Sequence, residues 1–345
     1  MDKNQSTSVD FTETYTNSQL LGSVKKILVN EASPLIRDFI HCNPAAVEQD
    51  KSAQQSQLIR VMQWNLLAQA LCGADDNFVR CPPEALKWKS RKWKILREIL
   101  TYDPDVIALQ EVDHFDFLER ALNSVGYSGT FEPKPDSPCL YVAGNDGPDG
   151  CALFYKRDKF EAVDRAFVTL APDHPIANQV ALCYKLRTVD DGYEFVVTTT
   201  HFKAKNGHDA LRLLEAKHVV SYLKENYADL PLVICGDLNA PPSEDAYKYM
   251  MNNALLDLDS AYIKLKNDGA EPDYTTWKIR QEGKTERTSC KTIDYVFYSR
   301  ERIVIKSLLK MSTDVEIGPD RLPSVKYPSD HFALVTDLVI LSNSL

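Results

Sequence analysis

Residues 58–343 predict a single α/β domain, built as two packed sheets flanked by helices. Three observations carry that expectation. Short apolar, β-prone runs alternate with amphipathic helical segments along the whole stretch. No linker and no repeat of fixed period divides it. No Gly-rich nucleotide loop opens any of its helices, so about ten strands in two face-to-face sheets is the reading. With 345 residues, 44% of them hydrophobic, the chain can bury a large core.

The elements follow in order. Residues 1–57 are rich in Ser, Thr, Asn and Gln, with two modest apolar patches at Leu20 to Val29 and Leu35 to Ile40. They read either as short helices docked on the domain or as a mobile extension, and partial disorder is the expectation. Leu58 to Trp64 is the first strand and ends in Asn65. Glu84 to Leu100 places Leu86, Trp93, Leu96, Ile99 and Leu100 at helical spacing, and Asp103-Pro104-Asp105 stops that helix. The basic run from Lys87 to Lys94 reads as its solvated face. Val106 to Leu109 is a buried strand delivering Gln110 and Glu111, followed by a helix over Asp116 to Val125. A Pro- and Gly-rich loop from Phe131 to Gly150 precedes the strand Cys151 to Tyr155. Ile176 to Leu186 and Glu194 to Thr200 form a hairpin around Asp190-Asp191-Gly192, the second strand delivering His201 and Lys203. Leu211 to Tyr227 is a helix, Leu232 to Cys235 a strand, and Glu244 to Asn252 a short helix. Tyr274 to Lys278 is β-prone, Gln281 to Ser289 a polar loop, and Thr292 to Tyr298 a strand with Asp294 among apolar neighbours. Ser329-Asp330-His331 introduces the last strand, Phe332 to Leu341.

The stretch Leu232 to Pro242 focuses the chemistry. Its apolar strand is broken by Gly236, and Asp237 and Asn239 then point to the same side of an extended backbone. An Asx turn closing a core strand would use the same residues. Singly, Asn65 reads equally as a turn cap, Glu111 as a surface acid, His201 and His331 as core histidines, and Asp294 as a partner for a lysine. Together they are harder to explain structurally. Each polar group follows or interrupts a strongly apolar strand, where burial without a partner costs a few kcal/mol, and strand ends are where α/β folds place their sites. A hard cation such as Mg²⁺ takes oxygen ligands and keeps waters and phosphate oxygens in its shell; Glu111 with Asn65 beside it would suffice. The histidines then suit phosphate better than metal.

Composition narrows the partners. A net charge of −9 and a pI near 5.4 argue against a broad nucleic-acid or acidic-membrane footprint, and leave room for a small anion in a locally basic pocket. Eight cysteines show no Cys-x-x-Cys pair and no zinc-like spacing, and several lie in apolar runs, which reads as buried reduced thiols. No stretch approaches the roughly 18 apolar residues of a membrane span, and no secretory or Arg-rich leader is visible, so a cytoplasmic location is the expectation, with a mitochondrial form from another start left open.

Six segments in order, Gln63-Trp64-Asn65, Gln110-Glu111-Val112, Thr200-His201-Phe202-Lys203, Gly236-Asp237-Leu238-Asn239, Ile293-Asp294-Tyr295 and Ser329-Asp330-His331, resemble the motifs of the Mg²⁺-dependent exonuclease/endonuclease/phosphatase superfamily. Further segments resemble its nocturnin branch. They include Pro133-Lys134-Pro135, Gly147-Pro148-Asp149-Gly150-Cys151 and Tyr274-Thr275-Thr276-Trp277-Lys278-Ile279-Arg280. The resemblance implies a four-layer α/β/β/α sandwich over residues 58–345, with residues 1–57 as an N-terminal extension. It implies a Mg²⁺-dependent phosphatase that removes the 2′-phosphate of NADP⁺ and NADPH and works as a monomer. By the same resemblance Glu111 holds Mg²⁺ with Asn65 and Asp330 assisting, Asp237 activates water, and Asn239 and His201 hold the phosphoryl group. His331, fixed by Asp294, stabilises charge. Lys134, Lys203 and Arg280 face the dinucleotide's phosphates; Lys205 stands where the branch usually has Arg, which keeps the charge and loses the bidentate fork. Two other readings remain: a 3′-exonuclease acting on poly(A), from the shared core, and a non-enzymatic scaffold using residues 1–57.

Overall fold

The computed structural model describes residues 9–42, 58–73, 78–253 and 255–341. Seven helices, α1 (Asn17–Ile27), α2 (Pro83–Leu86), α3 (Trp88–Tyr102), α4 (Phe115–Asn123), α5 (Asp209–Tyr227), α6 (Asp245–Asn252) and α7 (Asp314–Ile317), accompany fifteen strands among those residues. The strands are β1 (Phe39–His41), β2 (Leu58–Asn65), β3 (Val106–Val112), β4 (Tyr127–Pro133), β5 (Gly150–Lys156), β6 (Phe160–Thr169), β7 (Val180–Thr188), β8 (Glu194–His201), β9 (Leu232–Asp237), β10 (Leu258–Ser260), β11 (Thr276–Glu282), β12 (Thr285–Lys291), β13 (Asp294–Ser299), β14 (Ile303–Leu309) and β15 (Leu334–Ile340).

Two sheets carry the domain, one ordered β1-β14-β15-β2-β3-β5-β4 and the other β10-β13-β9-β8-β7-β6. Their inner faces bury Val61, Ala108, Leu153, Val197, Val233 and Val296 against each other. The outer face of the first sheet packs on α1, α3 and α4 through Leu20, Leu96, Ile99 and Leu118. That of the second packs on α5 and α6 through Val196, Ile234, Val220 and Met250. This is the four-layer α/β/β/α sandwich. Each sheet holds one parallel pair, β2 with β3 and β8 with β9, embedded among antiparallel neighbours. β9 is buried along its whole length, as its apolar run requires.

Several expectations are corrected. About ten strands become fifteen. Gln281 to Ser289 is not a loop: β12 pairs with β11 along seven residues. Its side chains are nearly all exposed, so apolar alternation never marks it. β4 hides in the Gly-containing Tyr127–Pro133, where a Cβ on Gly129 would lie 2.1 Å from the Phe154 ring; only glycine lets that ring cross the strand. The helix expected over Glu84 to Leu100 breaks at Lys87, whose extended backbone separates α2 from α3. Within residues 9–42 the N-terminal extension follows the docked alternative. Thr16 and Gln19 form a capping box on α1, Leu20 and Val24 are fully buried, and β1 adds to β14 as an edge strand. The buried Arg37 guanidinium donates to Glu98 Oε1 at 2.8 Å and to the Ala333 carbonyl at 2.9 Å. Residues 9–42 therefore belong to the same core as residues 58–341; residues 1–8 and 43–57, also assigned to the extension, lie outside the described residues.

Candidate active site

The two parallel pairs end at the same edge of the sandwich. Asn65 closes β2, and His201 and Asp237 close β8 and β9 directly opposite each other. Asp294 opens the antiparallel β13 facing Asp237. Close approach of β8 and β9 depends on Gly236, where a Cβ would sit 2.6 Å from the Thr200 carbonyl. Glu111 interrupts the β3 to β5 ladder at a register shift, with φ +52, and Asn239 has φ +48. The left-handed region is tolerated by Asn and costs a glutamate about 1 kcal/mol, strain of the kind that persists where a side chain must be aimed. His331 is clamped through its backbone: Trp64 Nε1 donates to its carbonyl at 2.8 Å, and its own N–H donates to Ser329 Oγ at 3.1 Å.

The side chains meet. Asn65 Nδ2 donates to Glu111 Oε1 at 3.0 Å and to Asp237 Oδ2 at 2.9 Å. Ala68 N–H donates to Glu111 Oε2 at 3.0 Å, and Asn239 N–H to Asp237 Oδ1 at 2.8 Å. Asn239 Nδ2 lies 2.9 Å from His201 Nε2 and donates to the Phe202 carbonyl at 3.0 Å. His331 Nδ1 sits 2.9 Å from Asp294 Oδ2 and 3.8 Å from Asp237 Oδ2. Asp294, fully buried, is further held by Gln63 Nε2 at 3.1 Å and Thr275 Oγ1 at 2.6 Å.

Burial and the Asp294 charge push the Asp237 carboxyl up to about 7, against the pull of His331, the Asn239 N–H and Asn65. Burial alone would strip the proton from His331, but the carboxylates of Asp294, Asp330 and Asp237 outweigh it and raise the imidazole to about 9. His201 goes the other way: burial and the cations Lys134, His331 and Lys278 hold it well below its usual value. Two buried histidines thus take opposite charge states, His331 cationic and His201 neutral.

Not every expected residue is placed as expected. Asn65 turns its amide oxygen to the Leu67 N–H at 3.0 Å, so it offers N–H donors rather than an oxygen ligand. Asp330 is drawn away from the metal-ligand positions: Lys278 Nζ lies 2.5 Å and Arg280 NH2 3.5 Å from its Oδ2. Burial raises the Asp330 carboxyl, yet the positive neighbours Lys278, His331 and Arg280 overcome this and hold it well below the usual range. Lys134 is buried behind His201, with Nζ 2.6 Å from Asp149 Oδ2 and 3.3 Å from His201 Nδ1. Lys203 Nζ donates to Asn178 Oδ1 at 2.9 Å on the rim, Lys205 is exposed, and the Arg280 guanidinium stacks over Phe78 at 4.6 Å. Lys278, whose charge reaches both histidines, was not singled out from sequence. Its one visible signal was position, two residues before Arg280 in the same strand.

Glu111, His201 and Asp237 bring one ligand atom each within 4.8 Å of one another, as do Asp237, Asp294 and His331. The second group is occupied by its own proton, shared between His331 and Asp294. The first fits a divalent cation on oxygen: both Glu111 oxygens accept a single donor apiece and retain lone pairs, and Asp237 faces them through the shared Asn65 amide.

The family model described as "Endonuclease/Exonuclease/phosphatase family" matches residues 62–331. Nocturnin of Xenopus laevis is 44% identical over 332 residues, 95% of this chain and 83% of that protein. The chain belongs to the nocturnin branch of the endonuclease/exonuclease/phosphatase family. The human nocturnin catalytic domain, solved with a bound sulfate anion, superposes with a TM-score of 0.73 at 38% identity, covering 90% of this chain and all of that one. A 2′,3′-cyclic phosphatase, ANGEL2, shares the family fold at a TM-score of 0.72 and 21% identity, covering 88% of this chain and 99% of its own. Family membership makes the chain a divalent-metal-dependent hydrolase of this type. No helix among the described residues is long and apolar enough to cross a membrane.

Proposed function

We propose that this chain is a Mg²⁺-dependent phosphatase that removes the terminal 2′-phosphate of NADP⁺ and NADPH, acting as a monomer. The observation that carries this reading is the convergence of one acid, one cationic histidine and two amide or imidazole donors on the space beside Glu111. Phosphoryl transfer asks the protein for that combination, charge neutralisation and in-line placement with little covalent work. The acidic surface offers a long polynucleotide little to hold, and the sulfate bound by the human nocturnin domain is an anion of phosphate size and shape.

A divalent cation held by Glu111 would neutralise charge on the phosphoryl oxygens. Asp237, fixed by the Asn239 N–H and Asn65, orients the attacking water and takes its proton as the new P–O bond forms. The P–O2′ bond breaks, the leaving ribose oxygen takes a proton from solvent and ends as a hydroxyl, and Asp237 returns its proton to solvent. His331, kept cationic by Asp294, faces the charge that grows on the phosphoryl group. Asn239 and His201 supply donors to its oxygens, and Lys278, paired with Asp330, adds a further positive charge close to both histidines.

The test is inorganic phosphate release from NADPH with Mg²⁺, compared with Asp237→Ala. Release that disappears in the variant supports the reading. Intact NADPH at every Mg²⁺ concentration, together with Asp237-dependent shortening of an adenosine oligomer, replaces it with a 3′-exonuclease.

A further inference from the structure

The basic run from Lys87 to Lys94 reads as a solvated helix face, yet Arg91 within it is fully buried. α3 is the crossover between the parallel strands β2 and β3, so its first turn lies at the edge where those strands end. A cation there opposes the positive end of the helix dipole, and taking it out of water adds a further cost. Among the described residues no carboxylate hydrogen-bonds the guanidinium to offset either. Its donors go to neutral oxygens instead: Nε to the Pro328 carbonyl at 2.7 Å, NH1 to Gln69 Oε1 at 3.3 Å, and NH2 to the carbonyls of both Leu66 and Leu67.

Those acceptors belong to two turns that flank the candidate cation site. The turn after Asn65 is strained, with Leu67 at φ +62. That conformation aims the Ala68 N–H at Glu111 Oε2 across 3.0 Å and the Leu67 N–H at Asn65 Oδ1 across 3.0 Å. The Asn65 amide N–H groups are thereby turned onto Glu111 and Asp237. Pro328 opens the other turn, in which Ser329 Oγ donates to the Asn65 carbonyl at 2.6 Å and accepts the His331 N–H at 3.1 Å. We propose that Arg91 is a positioning residue for the divalent cation: its guanidinium ties the two turns together and holds the Ala68 and Asn65 donors on Glu111, so that this carboxylate is presented in one orientation. The proposal rests on the reading of Glu111 as the cation's ligand and deepens it, whichever phosphate ester is the substrate. A planar fork can hold the Leu66, Leu67 and Pro328 carbonyls at once. A lysine ammonium in the same place keeps the charge and cannot span both turns. If the charge were what the site needs, lysine would serve; if the span is what it needs, lysine fails.

The experiment measures Mn²⁺, standing in for Mg²⁺, on the substrate-free protein from the loss of the free-ion EPR signal. Native protein should bind Mn²⁺ at a site that Mg²⁺ competes for and that Glu111→Gln removes. Arg91→Lys should raise the Kd about tenfold to a hundredfold, the cost typical of losing a group that orients a metal ligand. Leu96→Ala truncates the buried face of the same helix and serves as the control for general destabilisation; its Kd should stay native. In turnover, Arg91→Lys should need correspondingly more Mg²⁺ for half-maximal rate, with KM for NADPH at saturating Mg²⁺ within about twofold of native. Ser329→Ala breaks the second tie between the two turns; it should weaken Mn²⁺ binding to a smaller extent, and it carries the test if Arg91→Lys does not fold. A native Kd in Arg91→Lys or in Ser329→Ala, an equal loss in Leu96→Ala, Mn²⁺ binding that survives Glu111→Gln, or a defect confined to KM for NADPH overturns the proposal. Failure of the 2′-phosphatase reading is separable, because the ion is measured without any phosphate ester present.

Discussion

Asp294→Asn removes one charge and almost no volume, and its effect can be worked out beforehand. Asp294 is the leading reason that His331 stays protonated in a buried site, raised to about 9 from an ordinary 6.5. At pH 7.5 a group with a midpoint near 9 is about 97% protonated, whereas one returned to 6.5 is about 9% protonated. The variant should therefore retain at most about a tenth of the native kcat at pH 7.5, a loss of at least ~1.4 kcal/mol in transition-state stabilisation. The ratio of variant to native kcat cancels other titrations, and should climb to about three quarters at pH 6. Stability carries the same signature with its own sign. A folded-state pKa above the unfolded one contributes stability that is fully present below pH 6.5 and lost as pH rises through about 9. The native melting temperature should fall across that window, and that of Asp294→Asn should not. A variant-to-native ratio that is flat between pH 6 and 7.5 would refute the reasoning, as would an unchanged His331 titration by NMR.

Four other outcomes are expected. Glu111→Gln, which keeps the shape and removes the charge, should lose phosphate release by a hundredfold or more at every Mg²⁺ concentration, and chelation should abolish the native activity reversibly. Gly236→Ala places a methyl 2.6 Å from the Thr200 carbonyl and should cost about 1–3 kcal/mol in denaturant unfolding, with activity falling as β8 and β9 separate. Trp64→Phe loses the indole bond to the His331 carbonyl, a cost of about 0.5–1.5 kcal/mol, and should lower kcat more than it raises KM. The kcat profile should be bell-shaped, with a falling limb near 9 from His331 and a rising limb below about 7 once bound Mg²⁺ favours the Asp237 carboxylate.

What could be read from the chain follows burial. Asn65, Glu111, His201, Asp237, Asp294 and His331 were visible because polar groups at the ends of apolar strands need a reason to be there, and the structure gathers all six. The two-sheet class followed from the alternation of β9-like strands with helices such as α5. β12 was invisible because a two-stranded ribbon with both faces near solvent has no apolar period to display. The docking of residues 9–42 has little local signal because Leu20, Val24 and Arg37 are sparse among polar residues, and their partners Ile99, Glu98 and Ala333 lie far along the sequence. Asp330 and Lys134 carry charges whose partners decide their roles. Lys278 and Asp149 supply those partners, and neither pairing has a local signature: a lysine in an exposed-looking strand reads as solvated until the strand is folded over Ser329-Asp330-His331.

β1 covers the outer edge of β14, and the chain leading into it plants Arg37 against Glu98 and Ala333. A fragment starting at Leu58 would retain every motif of the family and still be badly made. It would expose the amide row of β14 to any free strand in solution, and it would leave the Glu98 carboxylate and the Ala333 carbonyl, two residues along the backbone from His331, without their guanidinium. Such a fragment is expected to self-associate before its chemistry can be measured, so the portion of chain ahead of the recognisable motifs sets the shortest length at which this enzyme can be handled.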